Sequence, residues 1–279
     1  MPGHRPYAKN PASPPSVTQI INTLDKPGLS WGAARETATY AVHHNDTWQN
    51  LPVADAVTTL YRHHRGVWDH RALVGSALHE INAQWCQGNT VSLRTIVEDI
   101  RARSKLWQKI PAAELYAELV PMAEGLGDWW KRARPEPLSW EEVVRYPVPG
   151  LDYIGTLDWR ALIGGRSILL DLKTTGSYKH GKGKYWDSWR LQLAAYRYAS
   201  EGVIYDDEDR ETTTTLLPVV EACAILHLYR DGHVEFNPVN AGPVEHEVFL
   251  ALRKVYGWRH DEGQGMGDVD ISPALGVVG

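Results

Sequence analysis

Apolar positions recur along the chain with two different periods, and the change comes near residue 135. Before it they return every three or four residues, as in amphipathic helices, and after it the spacing shortens toward the alternation of strands. The arrangement predicted from this change is a flexible Pro-rich arm over 1–15, a helical region over 16–135, an α/β core over 136–260 and a flexible tail over 261–279.

Capping and turn residues divide these regions into elements. Helices are predicted over approximately 16–24, 30–44, 53–64, 69–86, 93–108 and 112–134 in the first region. In the core, strands are predicted over approximately 142–147, 151–163, 167–174, 219–229 and 233–237, and helices over 186–200 and 244–256. The acidic run 206–211 is interpreted as a solvated loop. The predicted fold class is therefore α/β, with a mixed sheet flanked by helices.

Composition narrows the function classes only slightly. The chain has 279 residues, of which 43% are hydrophobic and 23% charged, with a formal net charge of −5. The sequence contains neither an apolar run of transmembrane length nor a visible secretory signal, so no membrane association is expected. Cys86 and Cys223 are too few for a disulfide framework or a Cys-ligated metal site, which favours a reducing, cytoplasmic location.

The most informative stretch is GTLDWRALIGGRSILLDLKTT, residues 155–175. Gly164-Gly165 is a favoured two-residue hairpin turn, and it sets a register in which Asp158 faces Asp171 across an antiparallel pair. Such opposed side chains lie about 4.5–5.5 Å apart on one sheet face. Lys173, two residues beyond Asp171, projects from the same face. The other face is predicted to carry Leu157, Trp159, Leu170 and Leu172.

Two facing carboxylates need a compensating positive charge. Like charges across a ladder are destabilising, and burial among apolar strand residues increases the penalty. Lys173 can neutralise one carboxylate, whereas a divalent cation can compensate both, and carboxylate oxygens suit Mg²⁺ or Mn²⁺. A salt bridge on a solvated sheet face is the plainer alternative. Both strands have the pattern of buried strands, which favours the metal.

Four short motifs follow one another in a specific order. Residues 75–79 have the form GxxxH, residues 155–158 end in the first aspartate, residues 171–173 form D-x-K, and residues 192–196 have the form QxxxY. Each is weak alone, but together they resemble the PD-(D/E)XK nuclease superfamily in its RecB-like branch. That branch includes phage recombination exonucleases and CRISPR-associated RecB-like exonucleases.

The resemblance implies a restriction-endonuclease-like core and a Mg²⁺- or Mn²⁺-dependent site with one or two ions. The implied metal ligands are His79, Asp158, Asp171 and the backbone carbonyl of Leu172. Lys173 would position or activate the attacking water, beside Asp158 and Asp171 as catalytic carboxylates. Gln192 and Tyr196 would line the site from a helix. No iron–sulfur cluster is expected, because the cysteines of the iron–sulfur members are absent.

The function that the resemblance implies is hydrolysis of DNA phosphodiester bonds, with an exonuclease in recombination, repair or end processing as the favoured version. DNA is the implied partner, and a single-strand annealing or recombination protein is a second candidate. A phage-encoded enzyme acting in the cytoplasm of a bacterial host fits the same resemblance. Strand polarity and oligomeric state are not indicated.

A basic segment follows the D-x-K motif. Between residues 173 and 197, six basic side chains stand against the single acidic Asp187, although the whole chain is acidic. Aromatic residues interleave with them, as in segments that track phosphates and stack on bases. The predicted substrate-binding residues are Lys179, Lys182, Lys184 and Arg190. A mobile solvated loop is the alternative interpretation.

Other interpretations stay open on the sequence. Residues 176–183 fit the P-loop pattern of a nucleotide-binding protein, but Gly183 replaces the Ser or Thr that would hold Mg²⁺. A catalytically inactive DNA-binding subunit is the other rival, against which the presence of all four motifs argues. Additional candidate ligands of lower rank are Glu80, Glu141 and Glu142.

Overall fold

A seven-stranded sheet and eight α-helices make up the part of the chain that the computed structural model describes, residues 6–10, 13–24, 27–176 and 187–260. The strands are β1 (Glu136–Tyr146), β2 (Tyr153–Ile163), β3 (Arg166–Thr175), β4 (Glu201–Tyr205), β5 (Glu211–Leu216), β6 (Ala222–Tyr229) and β7 (Val234–Val239). The helices are α1 (Val17–Ile21), α2 (Pro27–His43), α3 (Val53–Cys86), α4 (Leu93–Arg103), α5 (Lys105–Gln108), α6 (Ala112–Ala133), α7 (Asp187–Tyr198) and α8 (Pro243–His260). Two short 3-10 helices lie at Pro6–Lys9 and Asn45–Thr47.

The strands form one mixed sheet in the order β5-β4-β1-β2-β3-β6-β7. All neighbours are antiparallel except β3 and β6, which run parallel. Two parallel neighbours need a crossover connection, and the chain between β3 and β6 includes helix α7. The predicted α/β class with a mixed sheet flanked by helices is therefore confirmed.

Apolar side chains cover both faces of the sheet. On one face, α3, α4 and α6 pack over a cluster that includes Trp159, Leu170 and Leu172. On the other face, α1, α7 and α8 pack over a cluster that includes Leu157 and Leu169. The helical region therefore shares its core with the sheet, and β2 and β3 are buried between two helical layers.

Helix α3 joins two elements that the sequence predicts separately. The predicted helices 53–64 and 69–86 form one continuous helix of 34 residues, about 51 Å long at 1.5 Å per residue. In contrast, the predicted helix 93–108 divides at Ser104, whose side chain caps α5 by accepting a hydrogen bond from the Trp107 N–H. In the described part of the chain, no helix has both the length and the apolarity needed to cross a bilayer.

The acidic run 206–211, predicted as a solvated loop, connects β4 to β5, and its last residue is the first of β5. The Asp206 carboxylate accepts hydrogen bonds from the backbone N–H groups of Glu208 and Arg210, which closes the turn between β4 and β5. Strand β5 is exposed along its whole length. It therefore carries none of the apolar alternation by which the sequence analysis recognises strands.

Part of the N-terminal arm packs on the sheet, although the sequence predicts a flexible segment. Tyr7 is buried against β2, and its hydroxyl lies 3.2 Å from Thr156 Oγ1. The Ile154 N–H donates to the carbonyl of Pro15. One buried aromatic ring and one backbone bond thus place this segment near the strand that carries Asp158. The predicted tail 261–279 lies outside the described residues.

Candidate metal and catalytic site

The β2–β3 hairpin has the register that its turn predicts. Gly164-Gly165 adopts positive φ angles of 57° and 77°, as the favoured hairpin turn requires. Ile163 pairs with Arg166, and pairing continues in step as far as Trp159 and Leu170. The sequence therefore predicts this half of the hairpin correctly.

The ladder ends one residue before the two aspartates, so Asp158 and Asp171 do not form the ladder pair that the sequence predicts. Beyond this point β3 continues beside β6 while β2 continues beside β1. At the divergence, Asp158 Oδ2 accepts a hydrogen bond of 2.7 Å from the backbone N–H of Leu172. Where β2 and β3 separate, the Asp158 carboxylate thus accepts a backbone hydrogen bond of β3.

Strand β1 is irregular at Glu141, the position across from Asp158. Glu141 has a φ of 46°, which is uncommon for a residue other than glycine, and the β1–β2 pairing skips this position. Strand β2 changes its buried face here: Trp159 packs in the first cluster, whereas Leu157 packs in the second. The expectation that Leu157 and Trp159 share one face is therefore wrong, because strict alternation requires an unbroken strand.

Three potential metal ligands meet at this irregularity. One ligating atom from each of His79, Glu141 and Asp158 lies within 4.8 Å of the others. His79 Nδ1 is 3.6 Å from Asp158 Oδ2. Helix α3 brings His79 to the sheet because Gly75, one turn earlier, faces β3: a Cβ there would lie 3.4 Å from Thr174 Oγ1. The structure thus adds Glu141, a minor candidate in the sequence, to two of the predicted ligands.

Asp171 lies beside this triad in a buried position. Asp171 is 1% exposed, and its Oδ2 lies 2.6 Å from Lys173 Nζ. Among the described residues, neither of its oxygens receives a hydrogen bond of acceptable geometry. Burial raises the pKa of Asp171 to about 6, and the neighbouring charge of Asp158 acts in the same direction, although Lys173 opposes it. The Lys173 ammonium pairs with this carboxylate, but among the described residues Oδ1 has no hydrogen-bond donor, which burial makes costly.

Lys173 is held as a cation by its surroundings. Burial by itself lowers the pKa of Lys173, but the charges of Asp171 and Asp158 outweigh burial, so the net pKa is raised. Lys173 Nζ also donates a hydrogen bond of 3.2 Å to Gln192 Oε1. The predicted catalytic lysine therefore carries a positive charge next to both aspartates.

Gln192 and Tyr196, the two predicted site residues on α7, form a hydrogen-bonded chain that ends at Lys173. Gln192 Nε2 donates to the Tyr196 hydroxyl at 3.2 Å. Tyr196 packs directly on Gly155 of β2, where a Cβ would lie 2.6 Å from the tyrosine ring. Burial raises the pKa of Tyr196, which keeps the phenol protonated. The QxxxY motif therefore orients the lysine through Gln192.

Arg190 is placed away from this cluster. Its guanidinium pairs with Glu245 of α8, and its Nε donates to the Asn240 carbonyl at 3.3 Å. These contacts connect α7 to α8. The other predicted substrate-binding residues, Lys179, Lys182 and Lys184, lie in the segment 177–186 outside the described residues, as does most of the P-loop-like stretch. The two remaining acidic candidates point elsewhere, since Glu142 pairs with Arg160 and Glu80 bonds Gln84.

The donor set fits a hard divalent cation. Carboxylate oxygens with one imidazole suit Mg²⁺ or Mn²⁺. Asp171 Oδ1, which has no hydrogen-bond donor among the described residues, adds an independent sign, because a nearby cation would satisfy it. A predicted role for the Leu172 carbonyl stays a prediction.

Comparisons with known proteins add little to this geometry. No protein-family model and no curated protein matches the chain. Among solved structures, the chain is similar to one described as "Crystal structure of SSO0001", with a TM-score of 0.32 and 15% identity over 58% of this chain and 68% of that chain. A similarity this low carries no argument about function, so function must be argued from the site itself.

Proposed function

We propose that the protein is a metal-dependent deoxyribonuclease built on a restriction-endonuclease-like core. The observation that carries the proposal is the buried carboxylate of Asp171, paired with Lys173 beside the His79–Glu141–Asp158 triad. Three potential ligands thus lie close together where two strands diverge, with a fourth carboxylate and an ammonium beside them. The resemblance of the sequence motifs to RecB-like nucleases supports the same assignment.

The residues of the site divide into metal ligands and a cationic group. His79, Glu141, Asp158 and Asp171 are the residues that would hold one or two Mg²⁺ or Mn²⁺ ions. When bound, such an ion lowers the pKa of a water molecule and polarises a phosphodiester. Lys173, kept protonated by its carboxylate neighbours, donates hydrogen bonds to the attacking water or to the developing phosphate charge.

The proposal extends to the substrate and its setting. An exonuclease acting on DNA ends in recombination, repair or end processing is the version that the motif resemblance favours. The implied location is the cytoplasm, including that of a phage-infected bacterium, with a single-strand annealing or recombination protein as a candidate partner. A catalytically inactive DNA-binding subunit is the rival, because the Lys173–Asp171 ion pair also compensates one carboxylate without a metal.

Cleavage of end-labelled linear DNA and of circular DNA, each with Mg²⁺ and with Mn²⁺, tests the proposal. Asp158→Asn and Asp171→Asn should each lower the cleavage rate by at least about a hundredfold, because a metal contributes several kcal/mol to the transition state. EDTA should stop the reaction. The matched control is Asp128→Asn, an exposed aspartate on α6, which should cleave at the wild-type rate.

The outcomes separate the two candidate functions. Full cleavage by correctly folded Asp158→Asn and Asp171→Asn variants would exclude this site. If the wild-type protein binds DNA but cleaves it with neither Mg²⁺ nor Mn²⁺, the inactive DNA-binding subunit is favoured. Degradation of linear but not circular DNA would assign the exonuclease version.

A further inference from the structure

An open groove of about 830 Å³ lies along the middle of α3, outside the cluster of candidate metal ligands. Its floor is a single stripe of α3 that includes Arg62, Gly66 and His70, positions four residues apart that therefore share one helix face, with Arg71 beside them. The opposite wall includes Arg230, from the turn between β6 and β7. A stripe with this spacing usually packs in a core. Here it is basic and faces solvent.

The groove carries an excess of positive charge. Arg62, Arg71 and Arg230 line it; Arg71 pairs with Glu36 at 2.8 Å and Arg230 faces Glu118, so the excess is the charge of Arg62. The Glu118 carboxylate is already compensated, because His70 Nε2 lies 2.6 Å and Arg230 Nη2 3.2 Å from its oxygens. Arg62 is exposed and has no carboxylate within ion-pair distance among the described residues. In a chain with a net charge of −5, this is a local site for an anion.

The walls are fixed by packing. Trp107 Nε1 donates to His70 Nδ1 at 3.1 Å, so His70 presents its Nε2–H to Glu118. The β6–β7 turn is seated directly on α6, where a Cβ on Gly125 would collide with the carbonyl of Gly232. This close approach holds Arg230 at the rim. The groove is therefore a preformed feature of the fold.

Gly66 gives the groove its depth. Glycine in a helix interior is unfavourable relative to alanine, and a Cβ at Gly66 would meet nothing within 4 Å. Packing therefore does not explain the glycine. An absent side chain on the floor leaves room for the backbone of a ligand between Arg62 and His70.

We propose that this groove binds one strand of nucleic acid next to the cleavage site, an inference that rests on the proposed nuclease function. Guanidinium groups suit phosphates, and His63, whose ring stacks on Tyr40 at 3.9 Å, lines the groove as a surface for a base. The volume, in the range of small-ligand pockets, suits a few nucleotides of a single strand. From Arg71 to His79 the helix rises about 12 Å, a distance that a short stretch of strand spans.

Binding of a fluorescent oligothymidylate to the full-length protein in EDTA, followed by anisotropy, tests the groove without cleavage. Arg62→Glu should weaken binding by about tenfold or more and reduce the salt dependence by about 0.7, the share of one phosphate contact on a single strand. Arg65→Glu is the matched control. It is an exposed arginine on the same helix that bonds Tyr61 and does not line the groove, so its affinity should change less than about twofold.

A second pair of variants tests the space rather than the charge. Gly66→Trp should fill the floor and weaken binding as much as Arg62→Glu, and Gly66→Ala, which adds a single methyl group, should weaken it less. Circular dichroism melting checks that each variant folds. Equal losses of affinity in Arg62→Glu and Arg65→Glu would overturn the proposal. Normal binding by Gly66→Trp would also overturn it, as would a blunt duplex that binds as tightly as the oligothymidylate. Competition by polyglutamate as strong as by oligothymidylate would assign the groove to an acidic peptide instead.

Hydrolysis of the small phosphodiester bis(p-nitrophenyl) phosphate with Mn²⁺ separates this inference from the function on which it rests. Hydrolysis that depends on Asp158, combined with normal oligothymidylate binding by the groove variants, would retain the nuclease and reject the groove. Groove-dependent binding without hydrolysis of this compound or DNA would reject the nuclease and retain a single-strand binding site.

Discussion

Glu141 combines an unfavourable backbone with a position in the candidate site. Its left-handed conformation costs about 1–3 kcal/mol for a residue other than glycine, and its carboxylate lies near Asp158, a group of like charge. Both effects destabilise the protein without a cation. Local strain of this kind persists where function requires it, so Glu141 is the residue at which stability and activity should oppose each other.

Glu141→Gly should therefore make the protein more stable and less active. We expect the free energy of unfolding in EDTA to rise by about 1 kcal/mol, because glycine adopts positive φ without strain. We expect cleavage to fall by about tenfold or more, because a ligand is lost. Urea denaturation and the end-labelled DNA assay measure the two effects.

Glu142→Gly is the control for this prediction. Glu142 is adjacent in sequence but pairs with Arg160, whose side chain is 7% exposed. Its removal leaves a buried charge without that partner and should destabilise the protein. A Glu141→Gly variant that is also less stable than wild type would show that the positive φ of Glu141 does not destabilise the protein.

The sequence predicts much of the site because a two-residue turn determines which strand positions come near each other. Gly164-Gly165 sets the positions of Asp158, Asp171 and Lys173. Glu141 could not be assigned in the same way, because its direction depends on a break in β1 that no periodicity indicates. The support of Lys173 by Gln192 likewise depends on how α7 docks on the sheet.

At the level of elements, the sequence analysis succeeds where apolar side chains repeat and fails where they do not. Helix α6 and strand β3 have strong apolar patterns and agree with their predicted bounds within a few residues. Strand β5 is exposed throughout, and no apolar pattern predicts it. The sequence predicts two helices in place of α3 because the middle of α3 carries the polar groove face rather than an apolar stripe.

Two glycines in different elements should respond oppositely to alanine. At Gly66, in the interior of α3, a Cβ meets nothing within 4 Å, so Gly66→Ala should raise the free energy of unfolding by about 1 kcal/mol through helix propensity. At Gly155, a Cβ would lie 2.6 Å from Tyr196 and 3.1 Å from Val17. Gly155→Ala should therefore lower the free energy of unfolding by about 1–3 kcal/mol through overpacking. Thermal and urea unfolding measure both, and a stabilised Gly155→Ala would contradict the close packing of α1 and α7 on β2.

For the molecule as a whole, three elements are joined at one buried histidine. His246 of α8 stacks on Tyr198 at the end of α7, with ring centroids 4.7 Å apart, and its Nε2 lies 3.0 Å from the Tyr153 hydroxyl of β2. The Tyr153 hydroxyl donates its own proton to the Ala195 carbonyl, so the His246 Nε2–H donates to the tyrosine oxygen. Burial around the ring disfavours its protonated form.

Acid should therefore weaken the whole fold through His246. Burial lowers the pKa of His246 from 6.5 to about 4 in the folded protein. Above pH 6.5 both the folded and unfolded states hold it neutral. As the pH falls from 6.5 toward 4, the unfolded chain takes up a proton that the folded protein does not, so stability is lost across this window.

The His246→Phe variant isolates this contribution from other titrating groups. Asp171, whose pKa is raised, acts in the opposite direction over an overlapping range, because its protonation favours the folded state as the pH falls. It acts equally in both proteins, so the difference between wild type and variant removes it. Between pH 7 and 4.5, that difference in the free energy of unfolding should shift by about 2–3 kcal/mol in favour of His246→Phe. Urea unfolding at several pH values measures it, and a difference that stays constant would show that His246 accepts a proton as readily inside the fold as outside it.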